Sequence, residues 1–119
     1  MFINATNHKS ENWCDTQRKQ ANILGGEIVD IPFPNIPADW SYQQVTECAD
    51  KFARDIIATQ PEAVLCQGEM VCVWHIVNTL KQAGIPVYAA TTERCAQEIK
   101  EGDEVKKMSV FSFVGFRKY

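Results

Sequence analysis

At 119 residues and 13.5 kDa the chain fits one domain with one small core. Its net charge of -3 excludes a protein coated for long nucleic acid, and no apolar run approaches the ~20 residues that cross a bilayer. The five cysteines, at 14, 48, 66, 72 and 95, are odd in number and lack CxxC spacing, so they read as small apolar residues of a reduced, cytoplasmic chain with no metal site.

The first expected element is a strand over about 1–6, whose one apolar pair followed by Asn4 does not read as a signal peptide. Ser10 is a candidate N-cap for a helix over roughly 11–24, stopped by Gly25 and Gly26. Trp13, Gln17, Ala21 and Leu24 share its inner face. A second strand over 27–31 ends at Pro32 and Pro34, and the three prolines of 32–39 make that segment a loop.

Ser41 is a second N-cap candidate. Val45, Cys48, Ala49, Phe52, Ile56 and Ile57 then recur at helical spacing, up to Pro61. Ala63-Val64-Leu65-Cys66 has no alternation, as befits a strand buried on both faces. The helix over about 69–83 is more apolar than one stripe requires, through Met70, Val71, Val73, Trp74, Ile76, Val77 and Leu80. Either the core sandwiches it or its outer side meets another subunit. Gly84 is its stop, and a fourth strand follows from Pro86.

Residues 94–104 read either as a short helix or as the far limb of the fourth strand. Glu101-Gly102-Asp103-Glu104 resembles a hairpin turn with a glycine bulge and favours the limb. The last strand, 108–119, is then antiparallel to its neighbour and apolar on both faces over 110–116. Across residues 105–119, Lys106, Lys107, Arg117 and Lys118 stand against no acid, a bias that reads as solvated strand ends.

Alternating strands and helices predict an α/β fold in a single domain over 1–119, with helices on both faces of an open, mostly parallel sheet. The expected strand order is 2-1-3-4 with the C-terminal strand antiparallel at the edge. The chain reverses direction between the first and third strands, and open α/β sheets bind ligands at such a switch point. The crevice lies between residues 6–10 and 67–69, with 91–94 beside it.

Three polar clusters therefore supply the candidate site. Thr6, Asn7 and Ser10 offer small donors near a helix start, where anions are favoured, and Lys9 adds a charge. The segment is neither a Walker motif nor GxGxxG. Histidine titrates near neutrality, so His8 is a candidate acid or base or else a loop residue. His75, among Val73, Trp74, Ile76 and Val77, reads as a core or interface residue. Gln67 and Gly68 sit where backbone must approach a ligand or a neighbouring strand. Glu69 either binds ribose hydroxyls or favours the first turn of its helix. Thr91, Thr92 and Arg94 are placed to hold a second phosphate, with Arg94 equally able to pair with Glu93 or Glu69. Of the tryptophans, only Trp13 lies near the first cluster.

Four segments together resemble the small CRISPR-associated, CARF-like Rossmann proteins of type III systems. They are Asn4-Ala5-Thr6-Asn7-His8, Ile28-Val29-Asp30-Ile31-Pro32-Phe33-Pro34, Cys66-Gln67-Gly68-Glu69 and Phe113-Val114-Gly115-Phe116-Arg117-Lys118-Tyr119. The resemblance implies a homodimer that binds cyclic oligoadenylate, the tetramer above all, across its two-fold axis. Some such proteins are ring nucleases that linearise this messenger of antiviral defence without metal or cofactor; others only bind it. On that reading His8, Lys9 and Arg94 are the catalytic candidates. Thr6, Asn7, Ser10, Gln67, Gly68, Glu69, Thr91 and Thr92 bind the ligand. A deoxyribosyltransferase-like nucleoside enzyme of flavodoxin-like topology, with Glu69 or Glu93 as nucleophile, is the alternative, and a non-catalytic nucleotide-binding partner is the third reading.

Overall fold

The computed structural model describes residues 1–119, apart from the side chain of Gln97. Strand β1 is Phe2–Ala5 and is followed by a single 3₁₀ turn, Ser10–Asn12, and helix α1, Asp15–Gly25. Then come β2 (Ile28–Asp30), α2 (Tyr42–Ala58), β3 (Ala63–Cys66), α3 (Met70–Gln82), β4 (Val87–Glu101) and β5 (Glu104–Lys118). They form one five-stranded sheet of order β2-β1-β3-β4-β5. The first four strands are parallel and β5 is antiparallel to β4. The expected α/β architecture and strand order are those observed.

Side chains of a strand point alternately to opposite faces, and both central strands bury both sets. Ile3, Ala5, Val64 and Cys66 pack with Val45, Ala49, Ala53 and Ile56 of α2 and with Cys72, Ile76, Val77 and Leu80 of α3. Phe2, Ala63 and Leu65 pack on the other face with Trp13 and Ala21, flanked by Leu24 and Phe116. One helix thus covers one face and two helices cover the other.

The helix limits have local causes. Ser41 caps α2 as expected: its hydroxyl accepts from the Gln44 amide, and the Gln44 side chain accepts from the Ser41 amide in return. Gly84 lies just past α3 with φ +78°, a left-handed stop that costs glycine little. Ser10 does not cap α1. It opens the 3₁₀ turn, its hydroxyl donates to Asp30 Oδ2 at 3.1 Å, and α1 starts five residues later behind Cys14. The cause is Trp13, which is drawn into the core against Phe2 and Phe116 with an extended backbone. The Arg18 guanidinium holds the Trp13 carbonyl in that position.

The hairpin limb over 94–104 is the form observed. Gly102, with φ +60°, turns it, and Glu101 pairs directly with Glu104. The expected bulge sits elsewhere, between Thr91 and Thr92. Strand β4 pairs with β3 only through Val87 and Tyr88. The rest of the two long strands extends past the sheet as a two-stranded arm, in a molecule of 56 × 38 × 21 Å. The arm exposes Val105, Met108, Val110, Phe111 and Val114, Phe111 most of all at 66%. No helix of the described residues is long and apolar enough to cross a membrane.

Candidate functional site

The carboxyl ends of β1 and β3 open on a cleft of about 680 Å³. Its floor is Thr6 and Leu65, and one wall is the stretch from the 3₁₀ turn into α1, namely Asn12, Trp13, Cys14, Thr16 and Gln17. Ala90, Thr92 and Phe111-Ser112-Phe113 of the hairpin form the opposite wall, with His8 and Gln67 at its sides. Among the described residues this wall carries no lysine, no arginine and no carboxylate. It is a neutral cleft of hydroxyls, amides and aromatic rings.

A buried polar knot sets the shape of the β1 end. Asn4 is fully buried and lies opposite Asp30 in the parallel register. Its Nδ2 donates to Asp30 Oδ1 at 2.9 Å and to the His8 carbonyl at 2.8 Å. The Thr6 hydroxyl donates to Asn4 Oδ1 at 2.8 Å and accepts from the His8 amide at 3.1 Å. Ser10 closes the loop onto Asp30 through its amide and hydroxyl. Thr6 and Ser10 are therefore spent in shaping the loop, and the amides of His8 and Ser10 are spent with them. Asn7 and Lys9 are exposed, and only His8 of this loop's polar tip reaches the cleft wall.

The second and third clusters divide in the same way. The Gln67 side chain bridges to the Ala90 backbone, with its Oε1 3.3 Å from the Ala90 amide, and stands in the cleft. Gly68 is glycine because of Phe33: a Cβ there would meet the ring at 2.4 Å. Glu69 caps α3, its carboxylate accepting from the amides of Val71 at 3.1 Å and Cys72 at 2.8 Å. That carboxylate occupies the α3 N-terminus and lines no part of the cleft. Thr91 donates to the Gly115 carbonyl at 2.9 Å, while Thr92 faces the cleft. Arg94 lies out on the arm, where its guanidinium donates to Ser109 Oγ at 3.0 and 3.2 Å. His8, Gln67 and Thr92 are thus the expected residues that the fold brings together on the cleft, over the Thr6 floor.

The start of the first helix, expected just after Ser10 as a place for an anion, lies at Asp15 instead. Cys14 makes no side-chain cap, and the first amide bonding back along the helix is that of Arg18, to Cys14 O at 3.2 Å. The amides of residues 15–17 are left without an intrahelical partner beside Cys14, Thr16 and Gln17 of the cleft wall. The two helix starts at this edge therefore differ: one is filled by its own glutamate and one is open.

A family model matches residues 1–117 of this chain, that of the uncharacterized protein MJ1673 family. The chain belongs to the MJ1673 family. No curated protein and no solved structure matches it. The matched span takes in the polar knot, the cleft and the hairpin arm.

The thiols of this MJ1673-family chain divide by burial. Cys14 and Cys95 are exposed. Burial pushes the Cys66 thiol from 9.0 up to about 12, with the neighbouring Cys72 a smaller cause. Burial also lifts Cys72 from 9.0 to about 12, aided by Cys48 and Glu69. Both remain neutral thiols near neutral pH and supply no nucleophile. The Tyr119 hydroxyl, also raised by burial and then by Cys66, donates to the Cys66 carbonyl at 2.7 Å and ties the last residue to the β3 end. At pH 8 a thiol reagent should modify Cys14 and Cys95 rapidly and reach Cys66 and Cys72 only on unfolding. The raised values favour the neutral thiols in the folded chain, so their stabilising effect is intact below pH 9.0 and is lost as pH climbs toward about 12. Stability should therefore fall as pH rises above 9.0, and a denaturant midpoint that stays flat between pH 9 and 11 would contradict it.

Proposed function

We propose that the cleft binds the phosphodiester ring of a cyclic oligoadenylate, the tetramer above all, within a homodimer in the cytoplasm. The observation that carries the reading is the open N-terminus of α1 on a cleft wall without carboxylates. Unpartnered amides and the helix dipole favour an anion there, and the one carboxylate of that first turn, Asp15, is paired with Arg18 and lies off the cleft wall. Phe111 and Phe113 give the same cleft apolar ring surface for bases. Thr16, Gln17, Gln67 and Thr92 offer polar groups to ribose and phosphate oxygens. The sequence resemblance supplies the identity of the ring, and a two-fold ligand suits a two-fold dimer. The glutamate-nucleophile alternative has less support, because the Glu69 carboxylate is engaged with the α3 amides.

Ring opening is the finer part of the proposal. A ribose 2′-hydroxyl attacks the adjacent phosphorus, the 5′-oxygen leaves, and a 2′,3′-cyclic phosphate remains. The chain would align the attack and stabilise charge on the phosphoryl oxygens. His8 is the cleft residue suited to carry the proton. Lys9 and Arg94 would act only if the ligand or a second subunit extends to them.

Thr16→Glu separates binding from folding. A carboxylate in the first turn of α1 suits the helix dipole, so thermal stability should hold or rise by about 0.3–1 kcal/mol. The same charge should repel the phosphate and weaken cyclic tetra-adenylate by tenfold or more, about 1.4 kcal/mol. Unchanged affinity would remove the ligand from this cleft. If the wild type cleaves the ring, His8→Ala should slow product formation ~10²–10⁴-fold with binding kept.

A further inference from the structure

We propose that the main chain of Ala90 is the adenine-reading element of the cleft, and that the Gln67 side chain holds the place of the base. The inference rests on the ring-binding reading and adds how one base is told from another. Strand β3 stops at Cys66, while β4 runs on past it. Alternate residues of a strand turn their backbone groups to the same side. The Pro86 carbonyl accepts from the Val64 amide at 3.0 Å and so faces β3, whereas the Val87 carbonyl accepts from the Tyr119 amide and faces β5. Ala90, four residues after Pro86 and ahead of the irregularity at Thr91 and Thr92, also faces the β3 side. Its N–H and C=O therefore point side by side past the end of β3.

Among the described residues, the Gln67 amide is what meets that pair. Its Oε1 accepts from the Ala90 amide at 3.3 Å and its Nε2 donates to the Ala90 carbonyl at 3.5 Å. Both bonds are longer than the about 2.9–3.0 Å usual for N–H···O, and Gln67 is exposed, so the clasp is weak and open to exchange. A side-chain amide sets an acceptor beside a donor. The Watson–Crick edge of adenine does the same, with N1 as acceptor and N6–H as donor. Adenine can thus replace Gln67 bond for bond, N1 accepting from the Ala90 N–H and N6–H donating to its C=O. Hypoxanthine and guanine reverse the order, with N1–H and O6 along the same edge. With the ribose held in the cleft, they set donor against donor and acceptor against acceptor. Ala90 and Gln67 line the cleft together with Phe111 and Phe113, so the edge is read where ring surface is at hand for the face of the base. Once released, the Gln67 amide is free for ribose oxygens.

The test begins with mononucleotides and the wild-type chain. Titration with 5′-AMP, followed by amide NMR, should shift the Ala90 N–H and the Gln67 side-chain NH₂ together. A lost bidentate pair predicts that 5′-IMP binds about tenfold more weakly or worse. Gln67→Leu removes the placeholder and should leave the preference for AMP over IMP in place. Ala90→Pro deletes the one N–H, and proline is tolerated where that group faces away from a ladder. Far-UV circular dichroism should therefore hold while the preference disappears. The wild-type comparison of AMP with IMP decides the matter even where Ala90→Pro unfolds. Equal binding of the two nucleotides would overturn the proposal, as would an Ala90 amide that AMP leaves unmoved. Loss of the preference in Gln67→Leu would overturn it too, by making the glutamine itself the reader. A chain that reads AMP at Ala90 yet ignores cyclic tetra-adenylate would refute the ring reading alone. Ring binding that leaves the Ala90 amide unshifted would refute this inference alone.

Discussion

Gly25→Ala should be among the most damaging single substitutions in the chain. Gly25 is the last residue of α1, is buried, and lies against β1. An added Cβ would meet the Phe2 Cα at 2.8 Å and the Phe2 amide nitrogen at 2.9 Å. Those atoms belong to a central strand paired on both sides, so they cannot swing away as a side-chain tip could. Overpacking a tight site costs about 1–3 kcal/mol and occasionally more. For a domain of this size that is a fall in Tm on the order of 10 °C. Gly26→Ala, where a Cβ would meet no neighbour but φ is +79°, separates strain from crowding. A Gly25→Ala protein that melts with the wild type would show that α1 does not press on β1 as described.

Asn4→Leu should have the second large effect, and a functional one. The side chain is fully buried and serves the His8 carbonyl, the Asp30 carboxylate and the Thr6 hydroxyl together. An apolar residue of similar size strands those groups, at about 1–3 kcal/mol for a buried partner left unsatisfied. The loop from Thr6 to Ser10 should loosen, moving His8 off the cleft wall, so ligand affinity should fall along with stability. Asp30→Ala should cost less, because the carboxylate is exposed. Equal and small losses from both variants, by chemical denaturation, would mean that the knot does not hold the loop.

The architecture was legible because its signals are local. The continuous apolar run of β3, the helical spacing from Val45 to Ile57, the Ser41 cap and the Gly102 turn each act over a few residues. The site was less legible because its determinants are distant in sequence. Ser10 looks like a helix cap, yet its hydroxyl is claimed by Asp30, twenty residues on. Trp13 looks helical, yet Phe2 and Phe116 pull it out of α1 and leave that helix uncapped beside the cleft. Arg94 sits three residues after Thr91, but β4 runs past the cleft and carries it onto the arm. Glu69 was balanced between ligand and cap, and two amides of its own helix decide it. One cue was within reach: an Asn near the end of β1 and an Asp at the end of β2 are neighbours whenever those strands run parallel in register.

Calorimetric titration of cyclic tetra-adenylate into the full chain, in the presence of EDTA, tests the central claim most directly. The account predicts saturable binding at one ring per two chains, weakened tenfold or more by Thr16→Glu. The absence of saturable binding, or a stoichiometry of one ring per chain that Thr16→Glu leaves unchanged, would contradict it.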